Sequence, residues 1–278
     1  MAKGIGLIGN FSGKVGNTVG YQLSASNNGQ TQGVRVYQPN VKNPKTAAQA
    51  EQRAKLAPIN ATYRALKSII DRGNEGLPYG NKSRLAWLKQ AFKAENMPWI
   101  EKGTSIEYAV GCQLTKGSLT SLNYTLDESA INIAVPGIEG GTSLATVGAL
   151  STALLAGIPQ LKAGDQITFL TSISEDNLMN YEIISFVLDP TSTAAIAGFT
   201  SAADTVVYDK GQNFGAYSVI VSRMGANGEH LRSNEKLNIK ATITAKAPYD
   251  TTSKTAAIKS YMKQAGAEGD WAEESLQD

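Results

Sequence analysis

Hydrophobic and polar positions follow three regimes along the chain. Between 14 and 38 they alternate. Val15, Val19, Tyr21 and Leu23 sit at odd positions, as one face of a strand requires. Ser26-Asn27-Asn28-Gly29 is a turn cluster, and Asn-Gly is a strong hairpin signal. Val34 and Val36 then alternate with Arg35 and Tyr37, which turns Arg35 away from the valines, toward solvent or a partner. The segment reads as a glycine-rich hairpin.

A helical period follows. Asn43 suits an N-cap, and Pro44 fits the first helical position, where its missing N–H costs nothing. Ala47 to Leu56 are mostly strong helix formers, with Lys45, Gln49, Gln52 and Arg53 near one another on a polar face. Pro58 is expected to kink or restart the helix. Beyond it Ile59, Tyr63, Leu66 and Ile70 form an apolar stripe that Gly73 ends. A further helix spans Asn81 to Glu95, with Leu85, Leu88 and Phe92 on one side. These stripes read as core-facing, and Trp87 and Trp99 as fillers of core gaps.

Around Gly103 the pattern shortens. Strands are expected at Ser118–Thr125, Ala130–Val135, Gln166–Ser172, Tyr181–Leu188, Ala216–Ser222 and Leu237–Thr244. Six or seven short strands over this length suggest an antiparallel, immunoglobulin-like sandwich. Residues 143–157 fit a helix or a buried strand equally well. A short helix is expected from Ser253, carrying Ala257, Ile258, Tyr261 and Met262, and a loose acidic tail from Gly266 to Asp278. The fold class is therefore α+β. The expected parts are a basic hairpin and helical region (1–102), a β-sandwich (103–250), and a short helix with its tail (251–278).

Charge sharpens this picture. The net charge of +2 at pH 7 conceals a split. Residues 1–102 hold 15 Lys and Arg against 5 Asp and Glu, a net of +10, and residues 103–278 hold 11 against 19, a net of −8. Up to Leu56 seven basic residues face one acid, Glu51. Such a layout suits a nucleic-acid-binding arm on a globular body, although a solvated basic segment gives the same count. The phosphate contacts expected on this reading are Lys3, Lys14, Arg35, Lys42, Lys45, Arg53 and Lys55. Tyr21 and Tyr37, set among them, can stack on bases or pack within the hairpin.

Candidate chemistry is sparse. One cysteine, Cys112, excludes an internal disulfide, and one histidine, His230, removes most metal and hydrolase templates. His230 falls in a segment expected to be a hairpin loop. Glu175 with Asp176, and Asp204 with Asp209, are carboxylate doublets of an ordinary loop kind. Gly4, Gly6 and Gly9 spell G-x-G-x-x-G, but only three residues precede them and no acid lies about twenty positions on, so the dinucleotide reading fails. Gly13-Lys14 fails as a phosphate-binding loop because Ile8 and Val15 occupy the positions that need Gly and Ser or Thr. No cofactor or metal site is expected. The start of the chain does not read as a secretion leader, and the apolar run from Leu144 to Ile158 is too short and too broken to span a membrane.

Two motifs carry a resemblance. Phe11, Ser12, Gly13, Lys14 and Gly16 form an F-S-G-K-x-G opening. Asn43, Pro44, Lys45, Thr46, Ala48, Gln49, Gln52, Arg53 and Lys55 form an N-P-K-T-x-A-Q-x-x-Q-R-x-K helix start. In these the chain resembles an uncharacterised protein family of Bacteroidetes genomes and gut phages, well over the first 70 residues and loosely near Leu231-Arg232-Ser233. The resemblance implies no activity; it points to a phage-related or mobile-element protein. The expected function is thus a non-enzymatic, virion-associated protein, located in the virion or the host cytoplasm. Its basic residues 1–56 would contact DNA or capsid components. The alternative is a structural or adhesion-type protein that assembles by strand addition and charge complementarity, without nucleic acid. A hydrolase built on carboxylates of the β half is a weaker third reading.

Overall fold

A two-residue turn at Gly16-Asn17 joins the first strands, with Gly16 at φ 57°, the positive value such a hairpin needs. The computed structural model of the protein describes residues 13–22, 32–37, 46–127 and 129–262. Leu23, the expected turn at Ser26–Gly29, the capping pair Asn43 and Pro44, and the acidic tail lie outside the described residues. The chain divides into two units, Met1–Lys45 and Thr46–Asp278. In the first, β1 (Gly13–Val15), β2 (Thr18–Gln22) and β3 (Gln32–Val36) form an antiparallel sheet in the order β1-β2-β3.

The second unit opens with α1 (Ala47–Ala65), whose N-cap is Thr46; its hydroxyl accepts the Gln49 N–H. α1 runs through Pro58 without stopping. Both halves are held by packing: Ala50 against Ile258 and Met262, Ile59 within a larger core. The break falls instead at Leu66, before α2 (Lys67–Ile70). Gly73 is needed for closeness rather than for a left-handed cap, since an added methyl would meet the Leu114 carbonyl oxygen. α3 (Asn81–Ala91) follows, then β4 (Tyr124–Asp127), β5 (Ala130–Ala134) and α4 (Val147–Gly157). The ambiguous 143–157 stretch is therefore largely helix, with the Thr146 hydroxyl accepting the Ala149 N–H.

The remaining strands are β6 (Gln166–Ser172), β7 (Tyr181–Val187), β8 (Phe199–Ala202), β9 (Thr205–Tyr208), β10 (Ala216–Met224), β11 (His230–Arg232) and β12 (Asn238–Ile239). Helices α5 (Ala241–Lys246) and α6 (Thr251–Met262) complete the described elements. One antiparallel sheet has the order β4-β5-β9-β8, the other β11-β10-β6-β7, with β12 also on β10. The strand expected over Leu237–Thr244 is thus a correction: only Asn238–Ile239 pairs, and the chain then coils. Ile239 ends β12 and α5 begins at Ala241; Ile239 and Ile243 both pack on the core shared with the helices, a spacing of four that a strand and a helical turn both allow, so periodicity alone does not separate the two.

Two cores share one sheet. Ile131, Ile133, Val206, Tyr208 and Phe199 of the first sheet meet Ile167, Phe169, Phe186, Val219 and Val221 of the second, with Leu150 and Leu154 of α4. Phe169 is central, with ring centroids 5.2 Å from Phe199 and 4.9 Å from Tyr208. In the other core, Leu170 and Ala216 join Ile59, Leu66, Ile70, Trp87 and Leu237. The helices and strands of residues 46–262 are therefore one body, and the position expected for a boundary, 102/103, lies between segments that share this core. The α+β class holds. Among the described residues no helix is long and apolar enough to cross a membrane.

Just before β6, Asp165, 1% exposed, receives Arg223 through two bonds of 2.6 Å, from Nε to Oδ1 and Nη2 to Oδ2. It also accepts the Lys162 N–H. Removing the carboxylate leaves a guanidinium of a largely buried pair without its partner. Asp165→Ala is expected to lower the unfolding free energy by about 3 kcal/mol, read by urea denaturation. A loss below about 1 kcal/mol would show that the pair is not a structural anchor.

Candidate nucleic-acid interface

Register decides which basic side chains of the first unit meet. Lys14 pairs with Val19, and Val19 with Arg35, so the three lie in one row across the sheet. Directly opposed residues share a face, and alternation then puts Tyr21 there too. Tyr21 pairs with Gly33, and its ring fills the space a side chain at 33 would need. Tyr37 closes the row: its N–H bonds to Asn17 O at 2.8 Å, and Lys14 Nζ stands 3.6 Å from its ring centroid. Lys14 and Arg35 are exposed. The other face carries Thr18, Gly20, Val34 and Val36, with the valines 58% and 67% exposed.

The other expected contacts do not join this row. Arg53 and Lys55 belong to α1 in the second unit. Arg53 is exposed. Lys55 is engaged: its Nζ lies 2.9 Å from Glu51 Oε1, which Lys254 reaches at 3.2 Å, and both ammonium groups lie beside the Trp99 ring, at 5.8 and 5.3 Å. The hydrogen bond from Lys55 outweighs burial and, with Lys254, holds the Glu51 carboxyl below its usual range. Lys3, Lys42 and Lys45 lie outside the described residues.

Other polar groups are tied into the body. His230 begins β11 rather than sitting in a loop, its ring 5.3 Å from that of Tyr79. Cys112 is buried, and burial pushes its thiol up to about 12, which makes it a packing residue at neutral pH. Glu175 pairs with Lys240. Asp204, at φ 55°, turns the β8–β9 hairpin, and its carboxylate accepts the Gly137 N–H at 2.7 Å. Glu75 accepts the Ser118 N–H and hydroxyl, each at 2.9 Å, and the Arg232 N–H at 3.1 Å. Burial alone would raise Glu75, but these bonds outweigh it and hold the carboxyl low. The hollow beside it, about 460 Å³, is lined by Lys116, Gln90 and Leu77 among others. Among the described residues no group of three or more His, Cys, Asp or Glu could hold a metal ion.

Positive residues beyond those expected from the sequence gather elsewhere in the second unit. Arg64, Lys67 and Arg72 line one depression. Their signal is present in the sequence as basic positions interleaved with the Ile59–Ile70 apolar stripe, but a solvated helix face has the same appearance.

Glu235 stands apart from the other acids. It is 4% exposed, with Oε2 accepting the Tyr124 hydroxyl at 3.1 Å and Oε1 lacking a partner among the described residues. Burial raises this carboxyl despite its hydroxyl neighbours, and burial next to it pushes Tyr124 up to about 12. A carboxyl raised in the fold contributes stability that is complete below its unfolded pKa and lost as pH rises through the folded one. Glu51 and Glu75 act oppositely, losing their contribution as pH falls. Glu235→Gln is expected to lessen the decline in stability between about pH 5 and about pH 8. Urea unfolding at both pH values checks this; identical declines in the two proteins would reject the assignment.

Comparison with protein-family models, with curated proteins and with solved structures gives no match to this chain.

Proposed function

We propose that this is a non-enzymatic, virion-associated phage or mobile-element protein whose N-terminal sheet contacts DNA, carried with an immunoglobulin-like body. The observation that carries the DNA contact is the row Lys14–Val19–Arg35, flanked by Tyr21 and Tyr37 on one face. Exposed cations beside aromatic rings suit a phosphate backbone and its bases without reading sequence. Close approach is eased by the glycines of the strands, which present little side-chain bulk. The phage assignment rests on the F-S-G-K-x-G and N-P-K-T motifs, with the virion or host cytoplasm as its place.

Strand order supports the immunoglobulin-like reading of the body. The order β4-β5-β9-β8 corresponds to A-B-E-D, and β7-β6-β10-β11 to C′-C-F-G, the two sheets of that sandwich. Ile133 of β5 and Val219 of β10 are buried in the core between the sheets, on the strands that correspond by order to those joined by the disulfide in antibody domains, and Phe169 of β6 supplies the central aromatic. α4 lies in the connection between the second and third of these strands.

Fluorescence anisotropy of the full chain with short single- and double-stranded DNA, across a salt series, tests the contact. Affinity is expected to fall steeply with salt. Lys14→Ala with Arg35→Ala removes two phosphate contacts and is expected to reduce the log–log salt slope by about 1.4 on single strands. No binding at low salt would overturn the reading.

A second reading is favoured by the opposite face of the same sheet. Val34 and Val36 are open there, and among the described residues β3 is an edge strand, so a neighbouring subunit could add a strand beside it and set its own side chains against the valines. Here Val36→Lys is expected to shift sedimentation of the full chain toward the monomer. An unchanged distribution from an assembled wild-type chain would remove this reading.

A further inference from the structure

The α1–α2 segment carries a positive hollow on its solvent side. Arg64, Lys67, Ser68 and Arg72 are exposed and line, with Ala65 and Asp71, an open depression of about 550 Å³. At about 1.5 Å per residue, Arg64 to Arg72 spans roughly 12 Å along the helical path. That length suits a run of phosphates, each strand of a duplex carrying one per about 3.4 Å of helix axis, rather than one small ion.

One carboxylate among the lining residues offsets one of the three cations, so the hollow keeps a net positive charge. Asp71, the one carboxylate lining the hollow, accepts the Tyr63 hydroxyl at 2.8 Å. The Arg84 guanidinium lies 4.6 Å from the Tyr63 ring centroid, adding positive charge nearby. Arg72 lies 5.6 Å from the ring of Tyr79, which His230 flanks, so one wall is set by packing. Among the described residues no ion pair engages Arg64, Lys67 or Arg72. Like charges on a concave wall focus the field outward and attract a polyanion.

We propose that this hollow is a second nucleic-acid contact, in which Arg64, Lys67 and Arg72 take successive backbone phosphates and the Ser68 hydroxyl donates to one of them. The contact rests on the reading that the chain binds nucleic acid, but on residues of the other unit. It is independent of base sequence, because no base-reading group is invoked.

The test uses the full chain, a labelled thirty-nucleotide thymidine strand and a mixed-sequence duplex, each across a salt series. R64Q/K67Q/R72Q is expected to weaken both complexes at least tenfold at low salt and to lower the single-strand salt slope by about 2. R64K/R72K, which keeps the charge, is expected to retain affinity within about threefold. Unfolding midpoints identify any variant that fails to fold, and the charge-retaining pair and single replacements then carry the comparison. Weak binding by the triple variant with intact binding by K14A/R35A supports the hollow and removes the N-terminal row from the interface. The reverse result overturns the hollow and leaves the N-terminal contact standing. A wild-type chain that binds neither probe at low salt overturns both.

Discussion

Burial of β6 and β10 on both of their faces is the constraint on which the second unit depends. After Gln166, every residue of β6 from Ile167 to Ser172 is buried. Ile167 and Phe169 point into the core between the sheets, and Leu170 into the core shared with the helices. β10 is paired to β6 from Tyr217 to Ser222, with Val219 opposite Phe169 and Ser218 opposite Leu170. One sheet thus serves two hydrophobic cores, and neither the helices nor the outer sheet can shed it without exposing a core. The helices are fastened further by polar contacts. Thr62 of α1 accepts the Val110 N–H at 3.1 Å, and Glu75 reaches both Ser118 and the start of the Arg232–Ser233 segment.

The acidic groups show how local partners, rather than burial alone, govern charge in this body. Glu75 receives two backbone N–H groups and a hydroxyl and remains a carboxylate below its usual range. Glu235 meets one bonded hydroxyl and an otherwise closed surrounding, and its proton is retained to higher pH. Asp165 receives a two-bond guanidinium contact and a backbone N–H just before the central strand. Several carboxylates of the β half are thus held in turns and ion pairs: Asp204 on the Gly137 N–H, Glu175 with Lys240 and Glu182 with Lys210.

The N-terminal sheet follows a different logic. Its faces are unlike: one basic and aromatic, the other small and apolar. None of its described side chains belongs to a buried hydrophobic cluster. Gly33 lets Tyr21 lie flat across the neighbouring strand, which makes the aromatic part of the basic face rather than a loose side chain. A sheet of this size gains stability when at least one face is covered, and among the described residues Val34 and Val36 on one face and Lys14 and Arg35 on the other are exposed.

Local rules made much of this legible. Alternation around Val19, Tyr21, Val34 and Val36 identified the strands and turned Arg35 from the valines; the apolar period at Ile59, Leu66 and Ile70 identified the buried face of α1 and α2. The short β6 and β7 runs were also visible. β8 and β9 were not, because Phe199–Ala202 and Thr205–Tyr208 are only four residues each and pair around a two-residue turn. Ile239–Thr244 was misleading because its alternation runs on past Ile239, where pairing stops and α5 begins at Ala241. Lys55 looked like Arg53 in charge, but Glu51 and Trp99 claim it. What the sequence determined by itself was periodicity, charge balance and the lack of a cysteine or histidine framework, all of which depend on neighbours in the chain. Tertiary structure alone decided that Lys14 and Arg35 share a row and that helices and sheets share a core, because each depends on pairing between segments apart in the chain.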